Sequence, residues 1–167
     1  MKTPTPLLFH QPLNATALRS HGITSPWAFG LADRVRFGEI DALGHVNHTA
    51  YLRWFESFRL PYLQARHVSD YGPTSPRLVL KQVHCTCRNE MVGGEDYIVT
   101  GRTCRFRTTS FTMDFAVWRI TLGMPPQCTA DGGAIVVLLN RDAPGRYPIP
   151  QAGRAAFETE DGATPEG

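Results

Sequence analysis

Asp41, His45, Asn47 and His48 fall within eight consecutive residues, and an acid, two imidazoles and an amide at that density can do chemistry. A carboxylate attacks a carbonyl or draws a proton from water, and an imidazole exchanges protons near neutral pH. The stretch that carries them, FGEIDALGHVNHTAYLRWFE from Phe37 to Glu56, passes directly from a polar loop into an aromatic-rich segment. Asn47 is the better capping residue of the Asn47–His48 pair, so a helix is expected to start there. The first turn of a helix has N–H groups without intrahelical acceptors, and its aligned dipoles favour negative charge. An oxygen gaining charge in a reaction would therefore be held at His48 to Tyr51. Gly44 lets the loop fold back, so that Asp41 faces the same helix end. A carboxylate opposite a ready-made oxyanion site is what acyl transfer requires.

The same residues have plainer readings. Asp41 before a glycine can be an Asx-turn residue that caps its own loop. Asp41, His45 and His48 together form a 2-His-1-carboxylate set that a metal ion would accept. Glu56 stands three residues after Arg53, the spacing of an intrahelical ion pair. Cys85 and Cys87 share a face of any strand, with His84 beside them, but C-x-C without a second pair is not a usual zinc spacing. Small buried hydrophobes describe the four cysteines better, and no metal is expected.

The elements that must position this stretch follow from periodicity. Asp33 to Phe37 alternates Val35 and Phe37 with arginines, as a half-buried strand does. From His48 to His67 the apolar set Tyr51, Leu52, Phe55, Phe58 and Tyr62 recurs at helical spacing, with Pro61 predicting a kink near Ser57 to Leu60. Four strands follow: Arg77 to Arg88, Asp96 to Arg107, Phe111 to Ile120 and Ala134 to Leu139, with Asp131-Gly132-Gly133 read as a turn before the last. One helix covers five strands only if an antiparallel sheet curves around it, which is an α+β architecture. Residues 1–31 read as an extended lead-in, 32–150 as the domain and 151–167 as a flexible C-terminal tail.

Bulk properties exclude several classes. With 167 residues, 42% hydrophobic and 19% charged, the chain suits one globular domain. A net charge of +2 gives no strong pull toward nucleic acid or an anionic membrane. The start lacks the apolar run of a secretory signal and no stretch is long enough to span a bilayer, so a cytoplasmic location is expected.

The pattern D-x-x-G-H-V-N-x-x-x-Y-L-x-x-F-E, carried by Asp41, Gly44, His45, Val46, Asn47, Tyr51, Leu52, Phe55 and Glu56, resembles the hot-dog-fold acyl-CoA thioesterases. It looks most like their 4-hydroxybenzoyl-CoA thioesterase group. The resemblance implies a curved five-stranded antiparallel sheet wrapped around one long central helix. It implies hydrolysis of an acyl-CoA or acyl-carrier-protein thioester, without a cofactor, by Asp41 as nucleophile or general base. The amide of His48 would polarise the carbonyl, while His45, Asn47 and Tyr51 would contact the substrate. It also implies a homodimer or a dimer of dimers, with edge strands joined across the interface. Some relatives carry a tyrosine where Phe37 stands, and one branch uses a mid-helix glutamate, which puts Glu56 beside Asp41 as a candidate. Two alternatives stay open: a non-hydrolytic acyl-CoA-binding scaffold, and an acyl-CoA hydratase or dehydratase, whose D-x-x-x-x-H spacing this chain does not match.

Overall fold

The computed structural model describes residues 6–167. Its elements in chain order are β1 (Pro12–Asn14), α1 (Ala15–Ser20), β2 (Phe29–Arg34), α2 (His48–Ala65), β3 (Arg77–Cys87), β4 (Asp96–Phe106), β5 (Ser110–Ile120), β6 (Gln127–Leu139), α3 (Gln151–Asp161) and β7 (Thr164–Pro165). The strands form one sheet in the order β1-β2-β4-β5-β6-β3, every pair antiparallel, and β7 adds to β4 in parallel. The five expected strands are β2 to β6, and α2 packs against β2, β3 and β4. This is the hot-dog arrangement. No helix among the described residues is long and apolar enough to cross a membrane.

Aromatic rings on α2 hold the sheet to the helix. Phe55 stacks on Phe115 of β5 at 4.5 Å, Phe58 meets Phe115 edge-on at 5.8 Å, and Trp54 stacks on Tyr97 of β4 at 4.0 Å. Phe55 and Phe58 are wholly buried, and burial of a ring this size stabilises the fold by about 2–3 kcal/mol. Gly101 on β4 makes the contact possible, because a Cβ there would lie 2.5 Å from the Phe58 ring. β5 shows the alternation that made it legible, with Phe111, Met113, Phe115 and Val117 all buried.

Three expectations need correction. The first strand ends at Arg34, and Phe37–Glu39 is instead a single 3-10 turn with Phe37 fully in solvent. The helix runs unbroken through Pro61. The missing N–H leaves the Ser57 carbonyl without its helical donor, and Ser57 lies on the exposed face of the helix, where solvent can reach it. Gly132 and Gly133 lie inside β6, not in a turn. There a Cβ on Gly133 would sit 2.8 Å from the His84 ring and 2.9 Å from the Met113 carbonyl, so the glycines answer close approach by the flanking strands.

The termini differ most from expectation. Residues 1–5 of the expected lead-in lie outside the described residues. The rest of it contains β1 and α1, and Leu13, Leu18 and Ile23 build a small second core with Ala32 and Ile98. Residues 151–167 are not a loose tail: α3 is a helix, and Phe157 is wholly buried against Phe106 and Phe111. The domain therefore extends past residue 150. A closed polar cluster holds α3 down. Asp161 accepts from the Tyr62 hydroxyl and from Arg66 Nε and Nη2 at 3.1 and 2.7 Å, and Tyr62 also meets Thr103 at 2.8 Å. Burial, and then the Asp161 carboxylate, push the Tyr62 phenol well above its ordinary value.

Candidate active site

The polar stretch folds as a small hairpin whose open end becomes the start of α2. Asn47 N–H donates to the Glu39 carbonyl at 2.8 Å, Ile40 bridges Val46, and Asp41 N–H donates to the His45 carbonyl at 2.8 Å. Gly44 closes the turn with φ +85°, a conformation that disfavours side chains, and its N–H reaches the Asp41 carbonyl at 3.1 Å. Val46 N–H donates to the Met91 carbonyl at 2.8 Å, which pins the hairpin to the β3–β4 connection.

Within this frame Asp41 does part of what the plain reading expected. Its Oδ1 accepts from Leu43 N–H at 2.8 Å and His45 N–H at 3.4 Å, an Asx turn. Its Oδ2 has no partner among the described residues, and the side chain is half-buried. Extended chain rises about 3.4 Å per residue, which places Asp41 about 7 Å along the hairpin from the residue that caps α2.

The cap itself selects one amide. Asn47 Oδ1 accepts from Thr49 N–H at 2.9 Å and from Thr49 Oγ1 at 3.0 Å, and the Asn47 carbonyl accepts from Ala50 N–H at 2.9 Å. His48 N–H, first in the helix, has no acceptor among the described residues, and His48 is exposed. An open donor at a helix N-terminus is a place where an oxygen that gains negative charge is favoured, and the Asp41 hairpin leads directly into it.

A groove of about 430 Å³ runs from this end along α2. Leu52, Leu60 and Leu63 line it from the helix, and Leu78, Leu80 and Val83 from β3; Arg53, Glu56, Arg59 and Tyr71 add polar groups. At 3.6 residues per turn, His48, Leu52, Glu56, Arg59 and Leu63 lie within about 80° of one another on the helix surface. The groove is thus the continuation of the face that begins at His48, although neither Asp41 nor His48 is part of its lining.

Residues 35–157 match the thioesterase-like superfamily. The chain belongs to that family. A thioesterase-superfamily protein from Jannaschia sp. CCS1 is 68% identical over 95% of this chain and 99% of its own, with a TM-score of 0.92. A thioesterase from Thermus thermophilus, solved with coenzyme A and zinc, is 25% identical over 81% and 95%, with a TM-score of 0.66. The 1,4-dihydroxy-2-naphthoyl-CoA thioesterase of Synechocystis shares the fold at 16% identity, covering 79% and 96%, with a TM-score of 0.67. No curated protein matches the chain.

The remaining candidates of this thioesterase-superfamily chain sit in four different surroundings. His45 turns to the β3–β4 connection, its Nε2 3.1 Å from Glu90 Oε2. Tyr51, expected at the substrate, is instead a core residue, 2% exposed and edge-on to Trp54 at 4.9 Å, with burial pushing its phenol up to about 12. Among the described residues no three His, Cys, Asp or Glu side chains gather as a metal site would need, and the four cysteines are unbridged. Among the arginines of β3 and β4 and the residues that follow them, Arg88 pairs with Asp131, Arg102 lies 3.5 Å from Asp114, and Arg105 and Arg107 meet Glu166.

One residue escaped the sequence reading. Glu39 accepts from the Trp54 indole at 2.8 Å and from Arg36 N–H at 2.9 Å, while its carbonyl receives Asn47. It fastens both arms of the hairpin to the second turn of α2, and so fixes where Asp41 stands relative to His48. The only signal was an acid three residues after Arg36, the spacing of a capping box.

Proposed function

We propose that this chain hydrolyses an acyl-CoA or acyl-carrier-protein thioester to a free acid and a thiol. Asp41 acts as general base or nucleophile, and His48 N–H donates to the carbonyl oxygen. The observation that carries this reading is the cap of α2, which engages the Thr49 and Ala50 amides and leaves His48 N–H open beside the Asp41 hairpin. With Asp41 as base, its carboxylate takes a proton from water as the new C–O bond forms at the thioester carbon. The C–S bond then breaks, and the thiolate leaves with that proton. With Asp41 as nucleophile, its carboxylate bonds to the acyl carbon as the C–S bond breaks and the thiolate leaves, and water then cleaves the resulting anhydride, freeing the acid and returning a proton to the thiolate. The coenzyme A bound by the Thermus relative supports a CoA-type substrate.

A second copy of the chain belongs to the same proposal. β3 pairs only with β6, so its other edge of 11 residues is open among the described residues, with Val79 and Leu80 exposed beside the groove. Pairing of two such edges covers unmet backbone groups and closes the groove from outside. The same reading needs no cofactor, and its cytoplasmic location rests on the sequence alone.

The test is hydrolysis of a panel of acyl-CoAs by wild type, Asp41→Asn and Asp41→Ala. Loss of the base or nucleophile lowers kcat by about 10²–10⁴-fold with the fold intact. Unchanged turnover in both variants removes Asp41 from the mechanism. One observation favours a second assignment: Glu56, not Asp41, lines the groove. If Glu56 is the base, Glu56→Gln takes the large loss and the Asp41 variants keep their activity. Tight binding of acyl-CoA without thiol release would instead mark a non-hydrolytic scaffold.

A further inference from the structure

Arg59 is a cation on the groove without a partner of its own. It projects from the start of the fourth turn of α2 into the groove, half-buried among Leu60, Leu63, Leu80 and Tyr71. Among the described residues no carboxylate comes within the 4.0 Å of an ion pair and no group accepts a hydrogen bond from its side chain. Arg66, two turns further on and fully buried, is paired with Asp161, whereas the half-buried Arg59 keeps its guanidinium open toward the groove. Burial draws the Arg59 guanidinium below its ordinary value, and the field of Glu56 offsets this only in part. The groove lining holds Arg53, Arg59 and Glu56 as its charged groups, an excess of one positive charge.

Tyr71 adds a second observation. It is a non-glycine residue in the left-handed region, with φ 59°, a conformation that costs about 1–3 kcal/mol and persists where the surroundings impose it. Its N–H is held by Ser69 Oγ at 3.1 Å, and the adjoining turn is fixed by Asp70, which accepts from Gly72 N–H at 2.8 Å. The result lays the Tyr71 ring on the groove, with its hydroxyl 3.4 Å from the Arg59 carbonyl. A cation and a phenol ring thus lie together on a channel whose remaining lining is leucine and valine with Arg53 and Glu56. From His48 to Arg59 the helix axis advances about 16 Å, and the arginine stem leans back toward the helix start.

We propose that Arg59, set beside the Tyr71 ring, receives an anionic group at the far end of the acyl chain, so that the substrate is a thioester of a dicarboxylic acid or another acid with a negatively charged tail. The assignment rests on the thioester reading above. An apolar stem lies against Leu52, Leu60 and Val83, the thioester carbonyl reaches His48 N–H, and the distal carboxylate forms the ion pair that Arg59 lacks. Arginine suits this role because its planar fork meets a carboxylate with two parallel hydrogen bonds. A substrate ending in a methyl group takes the place of solvent beside the guanidinium and offers it no acceptor, and is selected against.

The experiment compares CoA thioesters matched in chain length, one set ending in carboxylate and one in methyl, with wild type, Arg59→Leu and Arg59→Lys. Binding of the matching non-hydrolysable thioethers and the sedimentation of each variant are measured alongside. The wild type favours the carboxylate series in kcat/KM by about 10–100-fold, the discrimination that a charge-assisted pair gives. Arg59→Leu abolishes that preference while sparing or improving turnover of the methyl series, and Arg59→Lys keeps part of it. Equal losses on both series in Arg59→Leu, or a wild type that prefers the methyl series, overturn the proposal. So does an Arg59→Leu that weakens self-association and leaves selectivity alone, since Arg59 then pairs with an acid of a second copy. If no thioester is cleaved but the carboxylate-ended thioether binds more tightly in an Arg59-dependent way, hydrolysis fails and the anionic-tail assignment stands.

Discussion

The two ends of α2 carry similar polar residues and treat them in opposite ways. At the C-terminal end Tyr62, Arg66, Thr103 and Asp161 are buried and bonded to one another, so that each donor has an acceptor. At the N-terminal end Asp41 is half-buried with one oxygen engaged, and His48 is exposed with its amide open. Physics enforces the first pattern, because a buried polar group without a partner costs about 1–3 kcal/mol, and more when charged. Where water reaches, no such penalty applies, and a substrate oxygen can replace the water. Bonds already made mark structure; donors held in place and left open mark a site.

Removal of one partner from each end should separate the two roles. The largest effect is expected at the closed end. Asp161→Ala leaves Arg66, itself 3% exposed, as a buried cation that keeps only Glu160 at the surface side. Breaking a buried pair in this way costs about 3–5 kcal/mol. Urea unfolding should show that loss, while kcat per folded molecule stays near wild type because the cluster lies at the opposite end of the helix. A variant as stable as wild type would mean that α3 is held by Phe157 alone.

Alkali probes the buried phenols more gently, Tyr62 at this end and Tyr51 near the other. The Tyr62 phenol is raised by burial first and by Asp161 second, and Tyr51 is raised to about 12 by burial. Unfolded phenols titrate near 10, so above that pH the unfolded chain releases protons that the folded chain retains. The contribution of these groups to stability is complete below about pH 10 and is lost as pH rises toward the folded values, at about 1.4 kcal/mol per pH unit for each phenol. Unfolding free energies should hold steady to about pH 10 and fall with that slope between about pH 10 and 12. A flat profile would show that the cluster opens to solvent well before the fold does.

What the sequence disclosed and what it withheld follow from the range of each interaction. The Asn47 cap and the Asx turn of Asp41 join residues two apart, and both were readable as local chemistry. The alternation along β5 needs no knowledge of its neighbours. Glu39 bonds Trp54 across 15 residues, and Arg66 reaches Asp161 across 95, distances at which one sequence carries no signal. The single aromatic of the C-terminal segment, Phe157, proved enough to anchor a helix once Phe106 and Phe111 were beside it. Gly132-Gly133 misled for a related reason: a turn and a close approach by a neighbouring strand leave the same mark. Tyr51 sits one turn into the helix, where sequence alone does not tell a pocket wall from the core beneath it.

The smallest stability effect should produce the most informative kinetics. Asn47→Ala removes the acceptor of both Thr49 groups, and a lost N-cap of this kind costs about 1 kcal/mol. Asn47→Asp restores an acceptor of equal capping quality, and its charge also suits the helix dipole, so stability should return to wild type or slightly above. Catalysis should respond in the other direction. If charge develops on an oxygen held by His48 N–H, a carboxylate at the adjacent residue opposes it, and a preorganised donor of this kind is worth about 10²–10³ in kcat. Asn47→Asp should therefore turn over thioesters more slowly than its stability would suggest, with the deficit in kcat rather than KM. Full activity in Asn47→Asp would mean that no negative charge forms at the start of α2, and the open amide would then be only a solvated helix end.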